Sequence, residues 1–274
     1  MLKFTRPPLT LYVITAYQFN HVDRPMEIDV RFFDPALNSI FYFVDTNGAP
    51  EGFQHTHLNE IDINPKISAA GRSHLAEWTF LLTEYEKSFA RYPFFFVSSR
   101  FHEKNSRLPM GLAPHWQSMR NALRKFGYGY LPSYDRDAGF EDLAQYWEKG
   151  LLAMTTSGLD AVEESYGVRY LSDYRFISDF FCNYIGFYSR QHLERYIRFY
   201  LPFIRRFFDA NYTIISDGNK LCRALNTYRN EKPFTFLLEM MSHLYFYKKN
   251  IPFAGLSYDG IYRVDERSTS IKRL

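Results

Sequence analysis

Glu239 stands alone in the apolar run FTFLLEMMSHL, residues 234–244. A carboxylate in such a run either pairs with a buried partner or, desolvated, is tuned to take a proton as a general base. Arg100 follows another apolar run, YPFFFVSS. A guanidinium just past a strand offers two parallel donors to a phosphate or a sugar, and a structural salt bridge is the competing use. Asp135-Arg136-Asp137 is an Asp-x-Asp. Paired carboxylates suit Mg2+ or Mn2+, while the preceding Pro132, Ser133 and Tyr134 favour a solvated turn that caps a helix. His55-Thr56-His57 places two imidazoles at alternate positions, with no third ligand evident nearby. Asp160, in SGLDAVEE, reads as a residue near a helix cap. No metal or other cofactor is required by these residues. Mn2+ or Mg2+ at Asp135 and Asp137 is the ion site these carboxylates allow, and His55 and His57 could also coordinate a metal.

The elements that must position these groups alternate between strand and helix. LTLYVIT, residues 9–15, is short, β-branched and apolar after a proline pair, which predicts a buried strand. Thr15, Ala16 and Tyr17 end that strand, where an α/β sheet opens its ligand crevice, so Tyr17 either stacks on a bound ring or packs. SIFYFV, residues 39–44, predicts a second strand ending in the turn Asp-Thr-Asn-Gly. Residues 18–35 and 55–65 read as loops, the first with a short helix. Apolar residues at helical spacing predict a helix over 73–90, and YPFFFVSS then predicts a strand. Strand, helix, strand in this order points to a parallel sheet with crossover helices. Further helices are expected at 115–126, 140–154, 159–166, 191–211 and 232–248. Further strands are expected at GYGYLPSY, at 180–188 and at IPFAGLSYD. Residues 1–265 read as one domain and 266–274 as a frayed tail.

Composition narrows the function classes. With 33 basic and 30 acidic residues the net charge is +3, too balanced for a nucleic-acid module, and no RNA-binding motif appears. Arg198, Arg205 and Arg206 read as the solvated face of a helix. The chain carries 27 Phe and 22 Tyr, enough rings to line a sugar- or base-binding cleft as well as a core. Cys182 and Cys222 lie in apolar runs without CxxC spacing, which suits a reducing compartment and argues against a disulfide framework or zinc site. No secretory leader is visible, and no run approaches the ~20 apolar residues of a membrane helix. Any membrane contact is therefore expected at the surface. Phosphate loops, GxGxxG, GxSxG and HExxH motifs are absent from the sequence.

The order and spacing of several segments carry a resemblance. They are ITAYQ at 14–18, NEIDINPKISAAGRSHLAEWTFLL, YPFFFVSSRFHEKN, ALRKFGYGYLP, FFCNYIGFYSRQHLERYIRFYLPFI and RNEKPFTFLLEMMSHLYFYKK. In this series the chain resembles a bacterial family of small capsule and exopolysaccharide glycosyltransferases marked by a His-Tyr-Arg-Arg-Tyr segment. The likeness spans residues 9–255. The hallmark falls on Val97, Ser98, Ser99, Arg100 and Phe101, where Arg100 keeps the second arginine and Phe101 an aromatic. His102 follows it. An Asn-Met-Phe-Ile strand of the family falls on Asn183 to Gly186 with Asn183 retained, and the glutamate of its Ser-Glu-Arg-Leu helix falls on Glu239. The family's acidic residue before the crossover helix falls near Arg72.

The resemblance implies a GT-A-like fold: a mixed, mostly parallel sheet flanked by helices, with a helical C-terminal part. It implies hexosyl transfer from a nucleotide sugar, a UDP-sugar foremost, to a glycan or lipid-linked acceptor during surface polysaccharide synthesis. Glu239 and Arg100 would then be catalytic, and Thr15, Ala16, Tyr17 and Arg72 would hold the donor. Asn183 and His102 would hold the acceptor or sugar. The implied setting is the cytoplasm, at the inner face of the membrane. A non-catalytic carbohydrate-binding or scaffold protein on the same fold is the alternative, since fold alone does not guarantee chemistry.

Overall fold

The computed structural model describes residues 8–15, 39–43, 54–57, 78–98, 101, 111–131, 164, 166–167, 184–215, 238, 241–257, 259–268 and 270–274. For 14–15, 39–43, 54–57 and 206–215 the description is of the backbone. These residues form a mixed α/β structure around one nine-stranded sheet.

Three parallel strands form one wing: β1 (Thr10–Thr15), β2 (Ser39–Phe43) and β3 (Gln54–His57). Helix α1 (Trp78–Lys87) precedes β4 (Phe94–Ser98), which pairs parallel with the other side of β1. All five residues of β4 are buried, as its unbroken apolar run predicts for a central strand covered on both faces. Helix α2 (Trp116–Phe126), entered through a 3₁₀ turn at Ala113–His115, ends at Gly127 and leads into β5 (Tyr128–Tyr130). Gly127 adopts φ 81° and closes the helix with its N–H on the Leu123 carbonyl, a left-handed cap that glycine takes without strain. Strand β6 (Ile185–Phe187) runs against both β4 and β5, and β5 is parallel to β7 (Phe253–Ser257). Helix α3 (Arg190–Ile215) follows β6, and α4 (Leu244–Lys249) precedes β7. Antiparallel strands β8 (Gly260–Asp265) and β9 (Ser270–Arg273) complete the edge. The order is β3-β2-β1-β4-β6-β5-β7-β8-β9.

The two faces of the sheet differ in chemistry because neighbouring strand residues point to opposite sides. Leu11, Val13, Phe95, Val97, Ala254 and Leu256 meet Met119, Ala122 and Leu123 of α2 on one side. Tyr12, Phe94, Tyr128, Tyr130 and Phe187 meet a nearly all-aromatic layer from α1, α3 and α4 on the other. Most of the described rings are thus core.

Paired glycines make room for one of these rings. Gly129 and Gly186 are direct partners across β5 and β6. A Cβ on Gly186 would lie 2.4 Å from the Phe95 ring, and one on Gly129 3.0 Å from its tip. Gly186→Ala is therefore expected to destabilise the protein by about 1–3 kcal/mol through overpacking. Phe95→Leu in the same chain should return part of that loss, because the two sites are coupled. Denaturant titration of the two single variants and the double variant tests this, and simple additivity would contradict it.

Four expectations change. His55 and His57, read as loop, belong to β3, because the segment pairs with Phe41 and Phe43 of β2. The helix expected over 232–248 is broken at Ser242 and His243, and α4 begins only at Leu244. The freed carbonyls explain the break: Tyr130, Tyr196 and Tyr200 all donate to the Ser242 carbonyl at 3.0–3.1 Å, and Tyr200 also reaches that of Met241 at 2.6 Å. IPFAGLSYD is not the last extended segment, since β8 and β9 follow it. The tail over 266–274, expected to fray, supplies β9 and a fully buried Glu266, whose carboxylate lies 2.5 Å from Nδ1 of a fully buried His243. Pro202 sits within α3 without ending it. The helix expected at 140–154, the loop at 18–35, Asp160, Cys182 and Cys222 lie outside the described residues.

Candidate functional site

Strand direction alone defines one edge of the sheet. β1, β2, β3, β4, β5 and β7 all run the same way, so their carboxyl ends share that edge, and antiparallel β6 begins there. From β1 the chain steps outward to β2 and β3, then returns to place β4 on the opposite side of β1. Such a reversal leaves a crevice outside the carboxyl ends of the two flanking strands, the usual ligand position in open α/β sheets.

Thr15 is the last residue of β1, and Ile14 is in register with Ser98, the last of β4. Two side-chain contacts tie the start of β6 to this point. The Ser98 hydroxyl lies 2.7 Å from that of Tyr184, and the ring of Phe101 meets Tyr184 edge to face at 5.2 Å. The Leu131 amide at the end of β5 donates to the Tyr184 carbonyl at 2.9 Å. The fold thus brings together Thr15, Ser98, Phe101 and Tyr184, drawn from three separate parts of the chain. Arg100 lies between Ser98 and Phe101 in the sequence, His102 follows Phe101, and Asn183 precedes Tyr184. Arg100, His102, Asn183, Ala16, Tyr17, Arg72, Glu239, Asp135 and Asp137 themselves lie outside the described residues. Leu238 and Met241, on either side of Glu239 in sequence, are fully buried.

Val97 and Ser98, which occupy the first two hallmark positions, are core residues of β4 with at most 2% exposure. A strand covered on both faces selects such small or apolar side chains. Any polar chemistry in this segment must therefore begin past Ser98. Among the described residues no three His, Cys, Asp or Glu side chains gather as a metal site would require.

Two titratable groups outside any sequence motif lie toward the opposite edge. Glu84, in the last turns of α1, is 1% exposed. Its carboxylate accepts from the amides of Phe89 and Ala90 at 2.7 and 2.6 Å and from the Tyr92 hydroxyl at 2.8 Å. Burial holds its pKa above the usual carboxylate value against those three donors, which pull it down. This group anchors the turn into β4. Its sequence signal, a glutamate near a helix end ahead of Tyr-Pro, was too common to single out. His192, half-buried with Nδ1 2.7 Å from the Ser189 hydroxyl, is held below the ordinary imidazole range by burial and then by Arg195. Its ring fills the space that a Cβ on Gly127 would take, so it too is structural.

A second concave feature lies on the outer side of the helical layer between α3 and α4. It is an open cleft of about 710 Å³, lined in part by Tyr166, Arg195, Arg198, Phe199, Tyr245 and Lys249. Arg198 and Arg205 are exposed, as the solvated-face reading of this helix expects. Among the described residues no helix is long and apolar enough to cross a membrane. No protein-family model, curated protein or solved structure matches the chain.

Proposed function

We propose that this chain is a glycosyltransferase of GT-A-like fold that moves a sugar from a nucleoside diphosphate donor to a glycan or lipid-linked acceptor. The observation that supports it most is the order reversal of the sheet at β1 and β4. The crevice this reversal opens lies at the strand ends where the sequence puts Thr15 to Tyr17 and Arg100. The mixed sheet flanked by helices agrees in kind with the fold the resemblance implies, although its strand pairs divide equally between parallel and antiparallel where a mostly parallel sheet was expected.

In this reading Glu239 takes the proton of the acceptor hydroxyl as its oxygen bonds to the anomeric carbon. The bond from that carbon to the diphosphate breaks, and the leaving group carries the electron pair away. Arg100 neutralises the growing charge on the diphosphate, the role that fixed cations or a metal must fill in such a transfer. Tyr17 lies against the base, and Asn183 and His102 hold the sugar or acceptor. Because Ser98 and Ser99 stand where an acidic metal-binding motif would follow a central strand, transfer is expected to depend little on metal.

Arg100→Ala is expected to weaken nucleoside diphosphate binding roughly 10–100-fold, the worth of a charged hydrogen-bond pair, whereas a chelator should change turnover little. Calorimetric titration of the variant, with turnover followed in chelator, checks both. Activity abolished by the chelator and restored by Mn2+ would overturn the metal-independent route and move the role to Asp135 and Asp137.

A further inference from the structure

The cleft between α3 and α4 is built differently from the crevice at the strand ends. Arg195 and Arg198 project from successive turns of α3, and Lys249 ends α4. Arg198 shares Glu194 with Arg190, at 3.5 Å, and lies 3.4 Å from the Tyr85 hydroxyl. Arg195 and Lys249 are exposed and have no carboxylate partner among the described residues. Among its described lining residues the cleft carries three cations and no carboxylate. Its remaining lining is aromatic. Tyr166 stacks on Phe199 at 4.7 Å and donates its hydroxyl to the Phe199 carbonyl at 3.0 Å, and Tyr245 packs edge to face on Phe199 at 5.5 Å. These contacts fix the rings in place before any ligand arrives, which lowers the ordering cost of binding.

Cations spaced along a rigid ring-lined wall suit a ligand with both negative charges and flat apolar surface. A volume of about 710 Å³ lies within the ~300–1,000 Å³ of ordinary ligand clefts, far more than a lone anion fills. A carbohydrate, whose C–H groups pack on aromatic faces and whose acid groups meet guanidinium and ammonium, suits such a wall.

We propose that this cleft binds an acidic saccharide, with carboxylate or phosphate groups on Arg195, Arg198 and Lys249 and sugar rings along Phe199, Tyr166 and Tyr245. The choice of a saccharide rests on the transfer reading. The cleft would then hold a part of the acceptor removed from the reacting hydroxyl.

The test is direct binding to the full chain by calorimetry, with trigalacturonate, maltotriose, inorganic phosphate and vesicles containing anionic lipid as separate probes. UDP is titrated into the same preparation. Trigalacturonate should bind and weaken with added salt, while maltotriose should not bind. The double variant Arg195→Ala/Lys249→Ala, altered only at exposed positions, should keep its melting temperature and bind trigalacturonate roughly tenfold or more weakly. UDP binding should be unchanged in it. Trigalacturonate binding that the double variant leaves intact, or binding to phosphate or vesicles without trigalacturonate, would overturn the cleft proposal. UDP binding without trigalacturonate binding removes the cleft proposal and leaves the transfer reading standing. Trigalacturonate binding without UDP binding does the reverse for the donor, and supports the carbohydrate-binding alternative.

Discussion

Glu239→Gln is expected to lower sugar transfer by a factor on the order of 10²–10⁴, the usual worth of a positioned general base, with little change in melting temperature. Glutamine keeps the shape of glutamate and most of its hydrogen-bonding capacity but cannot take the acceptor proton. The neighbours in sequence frame the prediction. Leu238 and Met241 are fully buried, and a carboxylate buried as they are would be costly unless it is paired or used. A structural ion pair at Glu239 makes the contrary forecast: charge removal would lower stability, and activity would fall only in step with unfolding. Turnover and melting temperature measured on one preparation separate the two. A stable variant with near-normal transfer would remove Glu239 from the mechanism.

Glu266→Ala is expected to cost about 1–3 kcal/mol, as leaving a buried hydrogen-bond partner unsatisfied does. The carboxylate lies 2.5 Å from Nδ1 of His243, and both side chains are fully buried. His243 packs on Tyr130 at 4.4 Å and on Phe253 at 5.0 Å. The pair therefore joins the C-terminal hairpin to the helix break at Ser242 and, through Tyr130 and Phe253, to β5 and β7. For a domain of this size such a loss should lower the melting temperature by roughly 5 °C. Thermal unfolding of Glu266→Ala, and of a chain ending at Asp265, measures it. An unchanged melting temperature in both would mean that the tail is dispensable, as its composition suggests.

The elements that were legible in the sequence are those whose own residues decide them. β1, β4 and β7 are short apolar runs bounded by prolines or turns, and α2 has an apolar stripe and a glycine at its end. What was not legible depends on partners distant in the chain. QHTH has little strand character of its own and becomes β3 by pairing with β2. SIKR is polar and charged, and becomes β9 only because β8 offers an open edge. The break before α4 depends on hydroxyls from Tyr130, Tyr196 and Tyr200, none of them local. The candidate site follows the same division. The strand-end rule picked out Thr15 from local pattern, but its place beside the end of β4 follows from β4 returning beside β1. The basic cleft was invisible for that reason, since Lys249 meets Arg195 and Arg198 only when α4 lies beside α3.

The central claim is that a nucleoside diphosphate binds at the carboxyl ends of β1 and β4. Titration of the full chain with UDP and UDP-sugars, alongside GDP, CMP and TDP counterparts, followed by melting temperature and by amide chemical shifts, tests it most directly. One of these nucleotides at about 100 times its Kd should add about 2.7 kcal/mol of stability. The shifts it perturbs should centre on Thr15, Ser98, Phe101 and Tyr184. No stabilisation by any nucleotide or nucleotide sugar at millimolar concentration, or shifts centred away from those strand ends, would contradict the account.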